Sequence, residues 1–306
     1  MELRHLRYFL AVAEAENVRL ASEHLHVTQP AISRQVHDLE EELGVELFDR
    51  LSRGLRLNAS GHAFMKDVTA LMTSLEAACD RVRRVFRGEI GALKVGFVEI
   101  AGWEGVIPQA IRQYREAVPS VHLEPWPLGT PEQLNKIQDG TLDGGFVYLF
   151  GNCPDDIETI PLQHHGAALA VLRNARSVSK SEPSKRIRLK DLSNEKFVVF
   201  HRSVYPAYFD ALLVACSAGG LVPRVVQQVQ SEAAVLSLVT SGIGVAIVND
   251  RNRFRAPTQV EFAKISDLKL SLPLSFAYRK DVRNPALLPL LQILRSVKKS
   301  PVLSQV

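Results

Sequence analysis

The chain has 306 residues, 46% hydrophobic, 23% charged and 7% aromatic, a balance that supports two or three folded domains and excludes a disordered or fibrous chain. Its three cysteines, Cys79, Cys153 and Cys216, lie far apart, which excludes a CxxC metal or redox pair and fits reduced thiols in a cytosol. The net charge of +4 does not itself point to DNA, because residues 1–58 hold 7 Arg, no Lys and 10 acids, for −3, residues 59–90 sum to +1 and residues 91–306 to +6; only local placement can argue for a polyanionic partner.

The opening residues, Met1 to His5, carry charge at once and have no long apolar run behind them, so no signal peptide is expected. The longest uncharged run, residues 233–249, is too short and polar to span a bilayer. A cytoplasmic protein without a membrane partner is expected.

Leu6, Phe9, Leu10 and Ala13 recur at helical spacing and predict a first helix. A second is expected over Arg19–Leu25, with Leu20, Ala21 and Leu25 inward, followed by the turn His26-Val27-Thr28. Thr28 is suited to cap a third helix with its hydroxyl, Pro30 fits the first turn, and Gly44 fits the end. Ile32, Val36, Leu39 and Leu43 form its buried stripe. On the opposite face Gln29, Ser33, Arg34 and His37 gather small or forked hydrogen-bonding groups suited to base edges and phosphates. Two helices joined by a short turn, the second with such a face, predict a helix-turn-helix that reads a major groove.

Alternating apolar residues in 45–50 and 55–57 about Ser52-Arg53-Gly54 predict a hairpin wing, with Arg53 at its tip for a minor groove or phosphate. A long helix follows over 59–87, started by Asn58 or Ser60. Phe64, Val68, Leu71, Leu75, Ala78, Val82 and Val85 are spaced 4, 3, 4, 3, 4, 3, a heptad seam that predicts a dimerising partner helix; the alternative is a helix lying on its own domain. Gly88 and Gly91 end it.

Residues 1–61 resemble the LysR-type transcriptional regulators. The resemblance is carried by Leu6-Arg7-Tyr8-Phe9, Ala21 and Leu25, Thr28 through Gln35, Leu39-Glu40, Leu43-Gly44, Leu47 through Arg50, and Gly61. The first nine residues are most similar to members that control aromatic-compound catabolism. Ser22 stands where the family usually has Ala, and Asn58 where it usually has Thr. The resemblance implies a winged helix-turn-helix (1–58), a linker helix (59–88) and a two-lobed α/β effector domain of the type-2 periplasmic-binding-protein kind (89–306). It also implies a dimer of dimers, operator DNA and RNA polymerase as partners, base and phosphate contacts at Gln29, Pro30, Ser33 and Arg34, and a wing contact at Arg53.

From Leu93 onward β-type and helical runs alternate, which predicts a largely parallel sheet. Strands are expected near 93–98, 121–126, 145–148, 167–172, 197–200, 224–229, 245–248 and 274–279, and helices near 107–118, 130–139 and 285–297. Crossings near 162–166 and 265–270 divide the region into lobe 1 (about 89–163 and 268–306) and lobe 2 (about 164–267). Ligands of such sheets bind at strand ends against helix starts. Those positions are Glu99 and Ile100, Thr130, Tyr148, His201, Arg202 and Ser203, and Ser231 with Glu232. Arg202 either points inward to pair with a carboxylate or lies on the surface; Thr130 and Ser231 either cap helices or also touch ligand. Tyr148 stands where some aromatic-catabolism relatives hold a dicarboxylate with arginine, and Glu99 where a small residue is common.

A small organic effector, a carboxylate by expectation, is therefore assigned to the cleft, and no cofactor or metal. No phosphate loop, dinucleotide fingerprint, metal spacing or nucleophile elbow is present, which argues against an enzyme. The adjacent His164 and His165 point to opposite faces of a strand. The alternative function is a DNA-binding protein that needs no ligand.

Overall fold

The computed structural model describes residues 1–51, 54–102, 105–173 and 187–297. They fall into two compact units, Met1–Arg83 and the part that begins at Arg84.

The first unit holds α1 (Leu3–Ala15), α2 (Val18–Leu25), α3 (Gln29–Leu43), the antiparallel pair β1 (Phe48–Arg50) and β2 (Leu55–Leu57), and most of α4 (Ala59–Phe86). Asn17 starts α2 by accepting the amides of Arg19 and Leu20 at 2.9 and 3.2 Å, and His26 ends it in the left-handed region, at φ 55°. Thr28 occupies the cap position of α3, but its hydroxyl makes no capping bond. Its carbonyl instead accepts the amides of Ala31 and Ile32, so main-chain bonds and the fixed φ of Pro30 define this helix start. Gly44 ends the helix at φ 71°, a conformation glycine adopts without steric cost.

Leu6, Phe9, Ala13, Ile32, Val36 and Leu39 are buried together. Leu20, expected inward, is 46% exposed. The inward face of α2 is set by Ala21 with Val18 and Leu25 packed behind it, and adjacent helical residues point about 100° apart.

Asn58 starts α4: its Oδ1 accepts the Gly61 amide at 2.8 Å and its Nδ2 donates to the Glu46 carbonyl at 2.8 Å. The seam divides in two. Phe64 packs at a tilt against Phe9 with centroids 5.1 Å apart, and Val68 is 3% exposed in the same core. Val68 is buried in its own unit, and Phe64, half-buried, packs beside it. Leu71, Ala78, Val82 and Val85 are exposed and Leu75 is partly so.

The second unit contains β3 (Gly91–Phe97), a 3-10 turn (Glu99–Gly102), α5 (Val106–Ala117), β4 (Val121–Pro127), α6 (Thr130–Gln138), β5 (Gly144–Tyr148), β6 (Ile157–Leu172), β7 (Lys196–Phe200), α7 (Pro206–Ala218), β8 (Arg224–Val229), α8 (Glu232–Thr240), β9 (Ala246–Asn249), a second 3-10 turn (Asp250–Phe254), β10 (Val260–Ala263), β11 (Ser271–Arg279) and α9 (Leu287–Val297). The main sheet has the order β10-β6-β11-β5-β3-β4, with β9 also on β6. β3 runs parallel to β4 and β5, whereas β11, β9 and β10 pair antiparallel. The sheet is mixed rather than largely parallel, because β11 returns from the second lobe against the direction of its neighbours. β7 and β8 form a separate parallel pair.

The expected crossing near 162–166 lies inside one strand. Residues 157–166 of β6 pair with β11, and residues 167–172 pair with β9 and β10. β6 therefore joins the two lobes without a loop.

Gln133 locks α6 onto the sheet. It is fully buried, and its Nε2 donates to the carbonyls of Leu128 and Phe146 at 2.7 and 3.2 Å. Gly96 and Gly145 make room for it: a Cβ would stand 2.6 and 2.2 Å from its Oε1.

Candidate functional site

Two regions gather the candidate residues. On the first unit, Thr28, Gln29, Pro30, Ser33, Arg34 and His37 are all exposed, opposite the buried stripe Ile32, Val36 and Leu39. Arg34 lies 3.9 Å from Asp38 with 81% of its side chain exposed, a solvent-screened contact that holds the guanidinium weakly. Of the acids farther along, Glu40 accepts the Leu47 amide at 2.7 Å and so fixes the chain entering β1, and Glu42 pairs with the amino group of Met1. They are tied up away from the polar face. Arg53 lies outside the described residues.

On the second unit, a cavity of about 680 Å³ opens between the lobes, within the size range of small-molecule sites. Glu99, Ile100, Thr130, Tyr148 and Ser231 all line it, as do Phe150, Phe200, Tyr205, Tyr208, Glu232, Asn249 and Arg255. His201, Arg202 and Ser203 do not. Arg202 makes a bidentate pair with Asp210, Nε to Oδ1 at 2.9 Å and Nη2 to Oδ2 at 2.7 Å, and His201 Nδ1 lies 2.7 Å from the Ser203 hydroxyl. All three are exposed. The loop satisfies its own polar groups at the surface, so the inward option for Arg202 is not taken.

Thr130 is the first residue of α6 rather than its cap; Gly129 holds that position. The Thr130 hydroxyl accepts the Tyr148 amide at 3.2 Å, which leaves its own proton to donate. Ser231 does cap α8, accepting the Ala234 amide at 3.2 Å.

Tyr148 is 5% exposed. Burial raises its pKa above the usual tyrosine value, so the phenol stays protonated. Its oxygen accepts from Asn249 Nδ2 at 2.8 Å and lies 2.6 Å from His165 Nδ1. A protonated phenol donates to Nδ1, which assigns the His165 proton to Nε2, toward Gln163 Oε1 at 3.4 Å. Burial first, then Arg251, pushes the His165 pKa down to about 4. His165 is buried while His164 is exposed on Ser271, the opposite facing expected of neighbours on a strand.

Glu232 is the residue whose role composition and spacing could not assign. Burial pushes its carboxyl up to about 7, against a hydrogen bond from Asn252 that lowers it, and the Glu99 charge raises it further. The aromatic wall was also missed. Its one local signal is Tyr205, Tyr208 and Phe209 around Pro206, which put rings on the first turn of a helix.

Among the described residues no group of three or more His, Cys, Asp or Glu could hold a metal ion, and no described helix is long and apolar enough to cross a membrane.

Residues 3–62 match the family model "Bacterial regulatory helix-turn-helix protein, lysR family", and residues 86–299 match "LysR substrate binding domain". The transcriptional regulator AlsR of Bacillus subtilis (strain 168) is 31% identical over 93% of this chain and 92% of its own. TcbR of Pseudomonas sp. (strain P51) is 31% identical over 94% and 96%. The crystal structure of full-length CbnR complexed with its target DNA superposes with a TM-score of 0.78 at 30% identity, covering 98% of this chain and 100% of that one.

Proposed function

The chain belongs to the LysR family of DNA-binding transcriptional regulators, a family of regulators rather than enzymes, and on that premise we propose how its parts divide the work. The α3 face reads operator DNA through Gln29, Pro30, Ser33, Arg34 and His37 in a major groove, with Thr28 beside the backbone and Arg53 on the wing. The functional divisions are 1–58 for DNA, 59–88 for dimerisation and 89–306 for the effector. The exposed part of the seam, from Leu71 to Val85, joins two chains, and two such dimers make the working tetramer in the cytoplasm, where RNA polymerase is the further partner.

The second unit takes a small organic acid in the cavity between its lobes. The observation that carries this reading is the cavity itself, walled by elements of both lobes. A ligand touching both lobes binds their closed arrangement more tightly than the open one and so shifts the population toward it. Closure passes along α4 to the DNA-binding units and alters their spacing.

The test is DNA selection from a random pool with the full chain, followed by binding titrations on the selected sequence with and without added small acids. Selection of a dyad-symmetric sequence whose binding responds to a ligand supports the proposal. Selection of no sequence refutes it.

A further inference from the structure

The two helix starts that line the cavity differ. Each has an acid in its first turn, Glu232 at α8 and Glu132 at α6, but at α8 the Ser231 hydroxyl already accepts an end amide, that of Ala234, and of the two acids it is Glu232 that lines the cavity. At α6, the Gly129 cap position offers no side chain and Pro131 has no amide to give, which leaves the amides of Thr130 and Glu132 for an outside acceptor.

The charges are arranged to match. Glu99 enters the cavity from the first lobe and Glu232 from the second. The charge that acts on Glu232 is that of Glu99, and its hydrogen-bond partner is neutral Asn252. Tyr148 and Tyr208, both protonated, complete its surroundings, and Arg255 also lines the cavity. A ligand carrying only negative charge would meet the acids Glu99 and Glu232 as well as Arg255. Between these polar ends stand Phe150, Phe200, Tyr205 and Tyr208, a wall suited to an apolar or aromatic body.

We propose that the effector is a zwitterion of the amino-acid type with an apolar or aromatic body, its ammonium between Glu99 and Glu232 and its carboxylate at the start of α6. This rests on the reading of the cavity as the effector site. An ammonium drawn between Glu99 and Glu232 from opposite lobes favours their approach, whereas in an empty cavity burial and the Glu99 charge work against ionisation of Glu232.

The experiment uses the full chain and two matched series in calorimetric titrations: phenylalanine, 2-phenylethylamine and 3-phenylpropanoate; and leucine, 3-methylbutylamine and 4-methylpentanoate. At least one amino acid should bind at millimolar concentration or below, and its amine-free acid about tenfold more weakly or worse. Glu232→Gln should weaken the amino acid by about tenfold and leave the amine-free acid bound as tightly or more tightly; Glu99→Gln, on an exposed turn, repeats the test from the other lobe. Amine-free acids that bind as tightly as the amino acids, or no binding by either amino acid at millimolar concentration, overturn the proposal. If an amino acid binds but DNA binding does not respond to it, the ligand class stands and the effector role fails. If an amine-free acid binds tightly and changes DNA binding, the effector role stands and the zwitterion fails.

Discussion

The hydroxyl of Tyr205 donates to the main-chain carbonyl of Tyr148 at 2.8 Å and accepts the amide of Phe150 at 3.0 Å. Tyr205 belongs to the second lobe and its two partners to the first, so one phenol ties the lobes together beside the cavity.

Tyr205→Phe keeps the ring, which packs edge-on against Phe150 at 5.8 Å, and removes both hydrogen bonds. Loss of about 1 kcal/mol of stability is expected in denaturant titrations, together with a changed ligand dependence of DNA binding. DNA affinity without ligand should stay as in the wild type. An unchanged ligand response would show that the phenol only packs.

Arg34→Ala and Ser33→Ala each remove an exposed group from α3 and should leave the fold intact. Each should cost about 1–3 kcal/mol at the selected DNA sequence. Equal affinity of both variants and wild type in anisotropy titrations would remove α3 from the groove.

The divided seam gives opposite expectations for one kind of substitution. Val82→Asp places a charge on a residue 70% exposed within one chain, so it should dissociate the dimer in sedimentation while the circular dichroism of the chain persists. Val68→Asp places the same charge in a core position 3% exposed and should unfold the DNA-binding unit. A Val82→Asp chain that remains fully associated would move dimerisation elsewhere.

Stability should depend on pH through two cavity-side groups with opposite signs. His165 has a folded pKa of about 4, below its ordinary 6.5; its contribution is complete above 6.5 and is lost as pH falls toward 4. Glu232 has a folded pKa of about 7, above the ordinary 4.5; its contribution is complete below 4.5 and is lost as pH rises through 7. Thermal midpoints of Glu232→Gln should therefore gain on the wild type between these two values. A constant difference across that range would contradict the assignment.

The first unit was legible because its signals are local. Helical spacing located Leu6, Phe9, Ile32, Val36 and Leu39, and Gly44 marked a helix end through its own φ. Thr28 shows the limit of such reasoning: the residue suited a cap, but main-chain bonds from its carbonyl did the work. Phe64 and Val68 fit a heptad equally well in an intrachain or interchain role, and spacing alone could not show that both pack within their own unit, Phe64 against Phe9. In the second unit Thr130, Tyr148, Ser231, Glu99 and Ile100 were found because strand ends and helix starts are visible in sequence. Arg202 was left between an inward and a surface position, because its partner, Asp210, is one helix turn into α7 and no rule of spacing ranks that pair above a ligand. Glu232 drew its character from burial and from Asn252 and Glu99, two residues far from it in the chain.

The uninterrupted course of β6 through both lobes has a mechanical consequence. A loop between two bodies acts as a swivel, but a continuous strand acts as a torsion bar, and in β6 the irregularity between Pro161 and Gln163, opposite Leu274 and Ser275, is where its bonding is locally relaxed. The lobes can turn relative to each other by spreading a small change of twist over many residues, within the range that sheets ordinarily adopt. No rung of the ladder has to break, so the motion carries no unfolding step and has an elastic restoring force. Substitutions that stiffen or soften the middle of that strand should thus tune how readily the two bodies turn, at a distance from anything that touches ligand or DNA.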